Sequence, residues 1–293
     1  MHLAGLQGAG VRLTQPLKWH GGKFYMAEEI IKRFPPHVHY VEPFAGGLAV
    51  LFAKPAKWIE KHSEVVNDLN GGLMNFWRCL ACEDAFELFK RMVEGTPFAE
   101  YTFKSAKKES IKNADWYTGE NLSVALAHAF FVRYRQSRQG LGKDFATLSK
   151  TRTRRGMNEQ VSSWLGAIEG LPEAHERLKR VVVLNRDAVE IIKSEDSPDT
   201  FFYLDPPYVH DTRSTTGEYQ HEMTLEDHRR LLNTLAPLKG KFLLSGYSHD
   251  LYHEFAQLCD WSCDEIEIDN KASSAKIKEI KREMLWMNYA SPA

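Results

Sequence analysis

The run Asp205-Pro206-Pro207-Tyr208 carries the most specific chemistry in this sequence. It directly follows the apolar segment Phe201 to Leu204, so it is expected at the carboxyl end of a buried strand, where α/β sheets bind ligands. An aspartate carboxylate and the carbonyl of the proline after it offer two hydrogen-bond acceptors. Such a pair suits an exocyclic amine whose lone pair is delocalised into a ring and which must turn toward tetrahedral geometry before it can attack. Each proline fixes its own φ and restricts the residue before it, so the acceptors stay aimed. Tyr208 would stack on a base extruded from its duplex. The amine loses its proton only after nitrogen has become cationic, so Asp205 acts by orientation more than by basicity. The N6 amine of adenine attacking a methyl group meets these demands. The plain alternative is a strand-ending Pro-Pro turn with a packed tyrosine.

A second group of residues points to the methyl donor. Tyr40-Val41-Glu42-Pro43-Phe44-Ala45-Gly46-Gly47 sets adjacent glycines between a strand and a helix, where backbone turns tightly and can approach a ligand. Asp68 follows Gly46 by 22 positions, near the ~20 expected for an acid that binds ribose hydroxyls. The Gly-x-Gly-x-x-Gly run that accepts a pyrophosphate is absent, which disfavours a nicotinamide dinucleotide. S-adenosylmethionine, an adenosine without phosphates, fits better. Its sulfonium suits Trp19 and Phe44 through cation–π attraction and the carboxylates of Glu42 and Asp205. Lys23, in Lys18-Trp19-His20-Gly21-Gly22-Lys23, could meet its carboxylate. Asp187 is a candidate for the cofactor adenine, although a helix N-cap explains it equally well.

These residues need a frame. Val38 to Glu42, Glu64 to Asn67, Arg180 to Leu184, Thr200 to Leu204, Lys241 to Ser245 and Met284 to Met287 read as strands. Met26 to Phe34 reads as a helix stopped by Pro35-Pro36. From about Phe76 to Glu176 the strand signal vanishes and helix-like segments alternate with polar loops. The expectation is an α/β catalytic domain of residues 1–75 and 177–293, interrupted by a mostly helical insert of residues 76–176. Across 293 residues with 43% hydrophobic and 26% charged side chains, no run approaches the ~20 apolar residues of a membrane span. The first residues lack the pattern of a secretion signal, so a cytoplasmic location, in a bacterial or phage-infected cell, is expected. Cys79 and Cys82 have the gap of a metal hairpin but fall in a helical stretch, and no metal site is expected.

The formal net charge is -1, yet the charge is unevenly spread. Arg133, Arg135, Arg138, Lys143, Lys150, Arg152, Arg154 and Arg155 face only Asp144 within one stretch. Such a patch could bind phosphates or simply be a solvated surface.

Taken in order, the motifs resemble the Dam-type family of N6-adenine DNA methyltransferases, particularly phage and prophage members. They are Lys18-Trp19-x-Gly21-Gly22-Lys23, Val41 to Gly47, Asn67-Asp68, Tyr203 to Tyr208, Leu244 to Tyr247, Asp250 to Tyr252 and Glu283 to Asn288. The resemblance implies a Rossmann-like S-adenosylmethionine-dependent sheet with an antiparallel final strand, cofactor contacts at Trp19, Lys23, Asp68 and Asp205, and base flipping. It also implies that the insert reads double-stranded DNA through Arg133, Arg135, Arg138, Lys143, Arg152, Arg154 and Arg155. No obligate protein partner is evident. Arg135 to Gly142 matches the GATC-recognition segment only loosely, so that target is not expected. A loop from His210 to Glu222 could close over the base, and the run Lys276 to Arg282 could touch the backbone. An RNA adenine methyltransferase and an inactive DNA-binding protein on the same fold are the rival readings.

Overall fold

The computed structural model describes residues 13, 15–55, 58–59, 61–112, 121–209, 222–268 and 281–291. In chain order its elements are α1 (Ala27–Lys32), β1 (His39–Glu42), α2 (Ala49–Ala53), β2 (Ser63–Asn67), α3 (Gly71–Ala81), α4 (Glu83–Glu94), α5 (Glu100–Lys112) and α6 (Val124–Arg135). There follow β3 (Thr153–Arg154), β4 (Met157–Asn158), α7 (Glu159–Glu169), α8 (Leu171–Leu178), β5 (Val182–Leu184), α9 (Ala188–Ser194) and β6 (Thr200–Leu204). Last come α10 (Leu225–Leu235), β7 (Lys241–Gly246), α11 (Asp250–Leu258), β8 (Ser262–Ile268) and β9 (Lys281–Met287). Most of the loop expected to close over a base lies outside the described residues, as does the basic run before Lys281.

The chain forms two compact units. One, Glu29–Ala45, Lys61–Leu69 and Arg186–Ala293, holds strands in the order β2-β1-β6-β7-β9-β8. The first four are parallel, β9 is antiparallel to β7, and β8 is antiparallel to β9. This is the expected Rossmann-like α/β sheet with its antiparallel final strand. Every side chain of β6 is buried, as a central parallel strand covered on both faces requires. The register sets Tyr40 of β1 beside Phe201 of β6, and Leu204 of β6 beside Leu244 of β7. Thr224 and Asp227 form a reciprocal capping box that starts α10, satisfying amides that a helix end otherwise leaves bare.

β8 has no counterpart among the expected strands. From Ser262 to Glu267 its residues alternate between half-buried and exposed, and Asp264, Glu265 and Glu267 dilute the apolar signal. Acidic side chains on an edge strand deter pairing with other chains. Arg282 of β9 pairs with Glu265 and Glu267.

The second unit, Met1–Glu28, Gly46–Glu60 and Asn70–Asn185, is mostly helical and wider than the expected insert. α3 begins at Gly71, and Phe76 on it stacks against Phe130 and Phe131 of α6 at 6.2 and 5.8 Å. Trp19 also packs here, 6.1 Å from Phe130 and 5.0 Å from Tyr134. The aromatic core thus draws in a segment from well before residue 76. Among the described residues one hairpin interrupts the helices. β3 and β4 are joined through Arg155 and Gly156, both at positive φ, the backbone a two-residue hairpin turn favours. No described helix is long and apolar enough to cross a membrane.

Candidate active site

In the sheet unit, the candidate residues leave the carboxyl ends of neighbouring parallel strands. Phe44 follows β1, Asp68 follows β2 and Asp205 follows β6. Parallel strands point the same way, so residues distant in sequence emerge along one edge. Phe44, Asp68 and Asp205 are each half-buried, partly shielded yet open to a ligand.

Asp205 is held in place from two sides. The Ser245 hydroxyl, at the end of β7, donates to Asp205 Oδ1 at 3.0 Å and also lies 3.2 Å from the Leu204 carbonyl. The Tyr208 hydroxyl lies 3.2 Å from the same carboxylate oxygen and donates a hydrogen bond to Glu283 Oε1. Tyr208 is buried and meets Tyr247 edge-on at 4.7 Å. Burial, reinforced by the carboxylates of Asp205 and Glu283, pushes the Tyr208 phenol well above its ordinary value. It therefore acts as a neutral donor and a fixed ring. Pro206 is buried and Pro207 half-buried.

Ser245 and Glu283 were not singled out from sequence as site residues. β7 lies beside β6 in parallel, and β9 returns antiparallel on the far side of β7, so both residues come near the end of β6 by strand order, of which spacing alone carries no trace.

Other acids have local duties. Glu42 is 2% exposed and accepts a 2.5 Å hydrogen bond from the Tyr40 hydroxyl. Asp187 caps α9, accepting from the Val189 and Glu190 amides, and its two oxygens take a bidentate pair from Arg230 at 2.9 and 3.0 Å. The cap explanation therefore describes its geometry, and a cofactor contact would compete with Arg230. Asn67 is fully buried: its amide donates to the carbonyls of Pro43 and Arg186 while its oxygen accepts from the Arg186 amide. It ties the turn after β1 to the approach to α9 and fixes the start of the Asp68 turn.

In the helical unit, the glycine pair approaches protein. Gly46 has φ +47, and a Cβ there would sit 3.0 Å from the Trp19 indole nitrogen. A Cβ on Gly47 would strike the Gln15 side chain and come 2.7 Å from Trp19 Cβ. The Gly46 carbonyl accepts from Trp77 at 3.1 Å and that of Gly47 from Gln15 at 2.6 Å. These glycines thus let the segment around Trp19 lie against the turn. Lys23 is buried and its ammonium donates to the Gly21 carbonyl.

The basic stretch divides by burial. Arg135 is 7% exposed and donates to the Ser163 carbonyl. Burial lowers it to about 10, and it departs from the expected phosphate-binding set because its guanidinium points into the unit. Arg133 braces the loop that follows α6, donating to the Gly142 carbonyl and Ser110 hydroxyl. Arg155 is exposed but makes a bidentate pair with Glu169. Arg138, Lys143, Arg152 and Arg154 present exposed side chains. Gly140, at φ +73, lets this loop touch the Lys18 carbonyl, which a Cβ would meet at 2.5 Å. Lys18 donates to Gln160, and burial, with Arg135 adding repulsion against the pull of Glu159, lowers it to about 8.

Cys79 is buried and its thiol, donating to the Ser123 carbonyl, is pushed up to about 12 by burial, with Cys82 adding to the shift. Cys82 is exposed. Among the described residues no group of three or more His, Cys, Asp or Glu gathers as a metal site.

Comparison with known proteins bears on this arrangement. Residues 19–141 and 143–284 match the family described as D12 class N6 adenine-specific DNA methyltransferase. The chain is 27% identical over 252 residues to a DNA N-6-adenine-methyltransferase of Escherichia phage P1, covering 81% of this chain and 31% of the relative. It is 24% identical over 262 residues to the type II methyltransferase M.MjaIII of Methanocaldococcus jannaschii, covering 80% of this chain and 85% of that protein. The chain therefore spans about a third of the phage relative's length and most of the archaeal one's.

Proposed function

The chain belongs to the D12 class of N6 adenine-specific DNA methyltransferases, and on that premise we propose that it transfers a methyl group from S-adenosylmethionine to the N6 amine of an adenine flipped out of double-stranded DNA. The observation that carries the reading is the fixed carboxylate of Asp205, braced by Ser245 and Tyr208 at the carboxyl end of β6.

In this reading Asp205 and the Pro206 carbonyl accept the two amine protons, so the nitrogen lone pair turns out of conjugation. Pro206 and Pro207 stiffen the turn, and Tyr208 supplies the ring on which the base stacks. Orientation supplies most of the effect, since a prearranged pair of acceptors needs no reorganisation as the amine becomes cationic.

The residues present fit the cofactor chemically. Asp68 offers a half-buried carboxylate to ribose hydroxyls, and Phe44 an aromatic face to a sulfonium. Trp19, Lys23, Glu42 and Gly46 complete the proposed set, with Asp187 engaging the adenine if it exchanges Arg230 for the ligand. When bound, the cofactor supplies an electrophilic methyl group.

For target recognition we assign the insert, residues 76–176. Arg138, Lys143, Arg152 and Arg154 are its exposed candidates for phosphates and base edges. Arg155 would join them on release from Glu169, while Arg133 acts by bracing the loop.

The test is transfer of labelled methyl groups to mixed-sequence unmethylated DNA and to matched RNA, comparing wild type with Asp205→Ala and mapping modified bases by sequencing. Label on adenine N6 of DNA within a short motif, lost in the variant, is the expected result. Transfer to RNA alone would replace the DNA reading, and cofactor binding without transfer to either would favour an inactive binding protein.

A further inference from the structure

Glu283 stands out as a buried acid that the reaction outlined above does not use. It is 1% exposed, near the start of β9. A carboxylate placed so deep costs free energy unless polar groups meet it. One group that meets it is the Tyr208 hydroxyl, donating to Glu283 Oε1. The same hydroxyl lies 3.2 Å from Asp205 Oδ1, and it has one proton to give. Glu283 is buried from water whereas Asp205 is only half-buried, so Glu283 has the greater need of that proton, which leaves Asp205 acceptor capacity for other donors. Ser245 supplies one, at 3.0 Å.

Topology makes this contact. Met284 pairs with Gly246 across β7 and β9, so the start of the returning strand lies at the carboxyl end of β7, next to that of β6. Tyr247 then meets the Tyr208 ring edge-on. The ring is thus held at its hydroxyl by Glu283 and along its body by Tyr247, which leaves it little freedom to tilt.

We propose that Glu283 is the positioning residue for Tyr208, fixing the ring that stacks on the target base and keeping the phenol proton away from the Asp205 carboxylate. The proposal rests on the reading of Tyr208 as the base-stacking residue. In this role Glu283 acts through the Tyr208 hydroxyl that it accepts from. Removing that hydroxyl should therefore make Glu283 dispensable.

The experiment compares Glu283→Gln and Glu283→Leu, each alone and combined with Tyr208→Phe. Gln keeps an oxygen that accepts from the phenol, whereas Leu fills similar volume without an acceptor. In single-turnover methyl transfer to DNA, Leu is expected to slow the step by on the order of 100-fold, the scale of a small misplacement of a reacting group, with cofactor affinity unchanged. Gln should restore most of the rate. In the Tyr208→Phe background neither substitution should slow transfer further. Equal slowing in both backgrounds would overturn the proposal, as would a loss confined to cofactor affinity. A second readout needs no activity. In protein carrying tyrosine labelled with 13C at Cζ, the resonance missing from Tyr208→Phe identifies Tyr208, and it should move in Glu283→Gln. A resonance that stays put would refute the contact, even if Glu283→Leu fails to fold. If wild type methylates no DNA while the resonance moves, the anchor stands and the functional reading fails instead.

Discussion

Replacing Ser245 with alanine isolates the orientation of Asp205 from its chemistry. Ser245 is fully buried, and its hydroxyl donates to Asp205 Oδ1 at 3.0 Å. A hydrogen bond to an ionised acceptor contributes about 1.5–3 kcal/mol. Asp205 is half-buried, so water can replace part of the lost donor, and the lower half of that range applies. About 1.5–2.2 kcal/mol of lost orientation corresponds to a roughly 13- to 40-fold slower methyl transfer. Stability should fall only modestly, because alanine removes an acceptor 3.5 Å from the buried Tyr203 hydroxyl and a secondary contact to the Leu204 carbonyl at 3.2 Å. The assay is single-turnover transfer at saturating cofactor and DNA, with thermal melting alongside. A rate within twofold of wild type, at unchanged melting temperature, would refute the argument that this hydroxyl aims the carboxylate. A rate loss matched by a large drop in melting temperature would show that Ser245 serves packing instead.

Other substitutions probe the rest of the arrangement. Gly47→Ala drives a methyl group into Gln15 and Trp19, and overpacking of that kind costs about 1–3 kcal/mol, measurable as a lower urea midpoint. Arg138→Ala should reduce the slope of log affinity for DNA against log salt by about 0.9, the contribution of one phosphate contact. Arg135→Met should leave that slope unchanged, because its guanidinium is buried on Ser163. Lys18 gives a pH signature. Its value is lowered to about 8, so between about pH 8 and its ordinary value the unfolded chain binds a proton that the folded chain does not. Stability from this group therefore rises with pH across that window, and the penalty on the buried cation is fully present below it. Urea midpoints of wild type and Lys18→Met should converge in the wild type's favour as pH rises from 7 to 10. A constant difference would contradict the shift.

Much of this was legible in the sequence because it is local. Phe201 to Leu204 announced a buried central strand, and Asp205-Pro206-Pro207-Tyr208 declared its own position at the strand's end. Thr200–Leu204 is the strand observed. Alternation of strand and helix signals was enough for a parallel α/β sheet, since parallel strands need crossovers. The acidic edge strand Ser262–Ile268 escaped, because charged residues on a half-exposed strand erase the apolar pattern on which such readings depend.

Tertiary structure decided which neighbours each side chain meets. Arg133, Arg135 and Arg138 are alike in sequence, yet one braces a loop, one is buried on a carbonyl and one is exposed. Helical phase and loop path separate them, and charge counting cannot. Gly46 and Gly47 were expected where backbone approaches a ligand, and the fold sets Trp19 and Gln15 against them. Ser245 reaches the Asp205 network from the parallel neighbour β7, and Glu283 from β9, the strand that returns antiparallel beside β7. The sequence by itself determined the chemical groups and the strand ends that carry them. Their orientation came from contacts between residues far apart in the chain, which depend on strand order and register and so exist only once the sheet has formed.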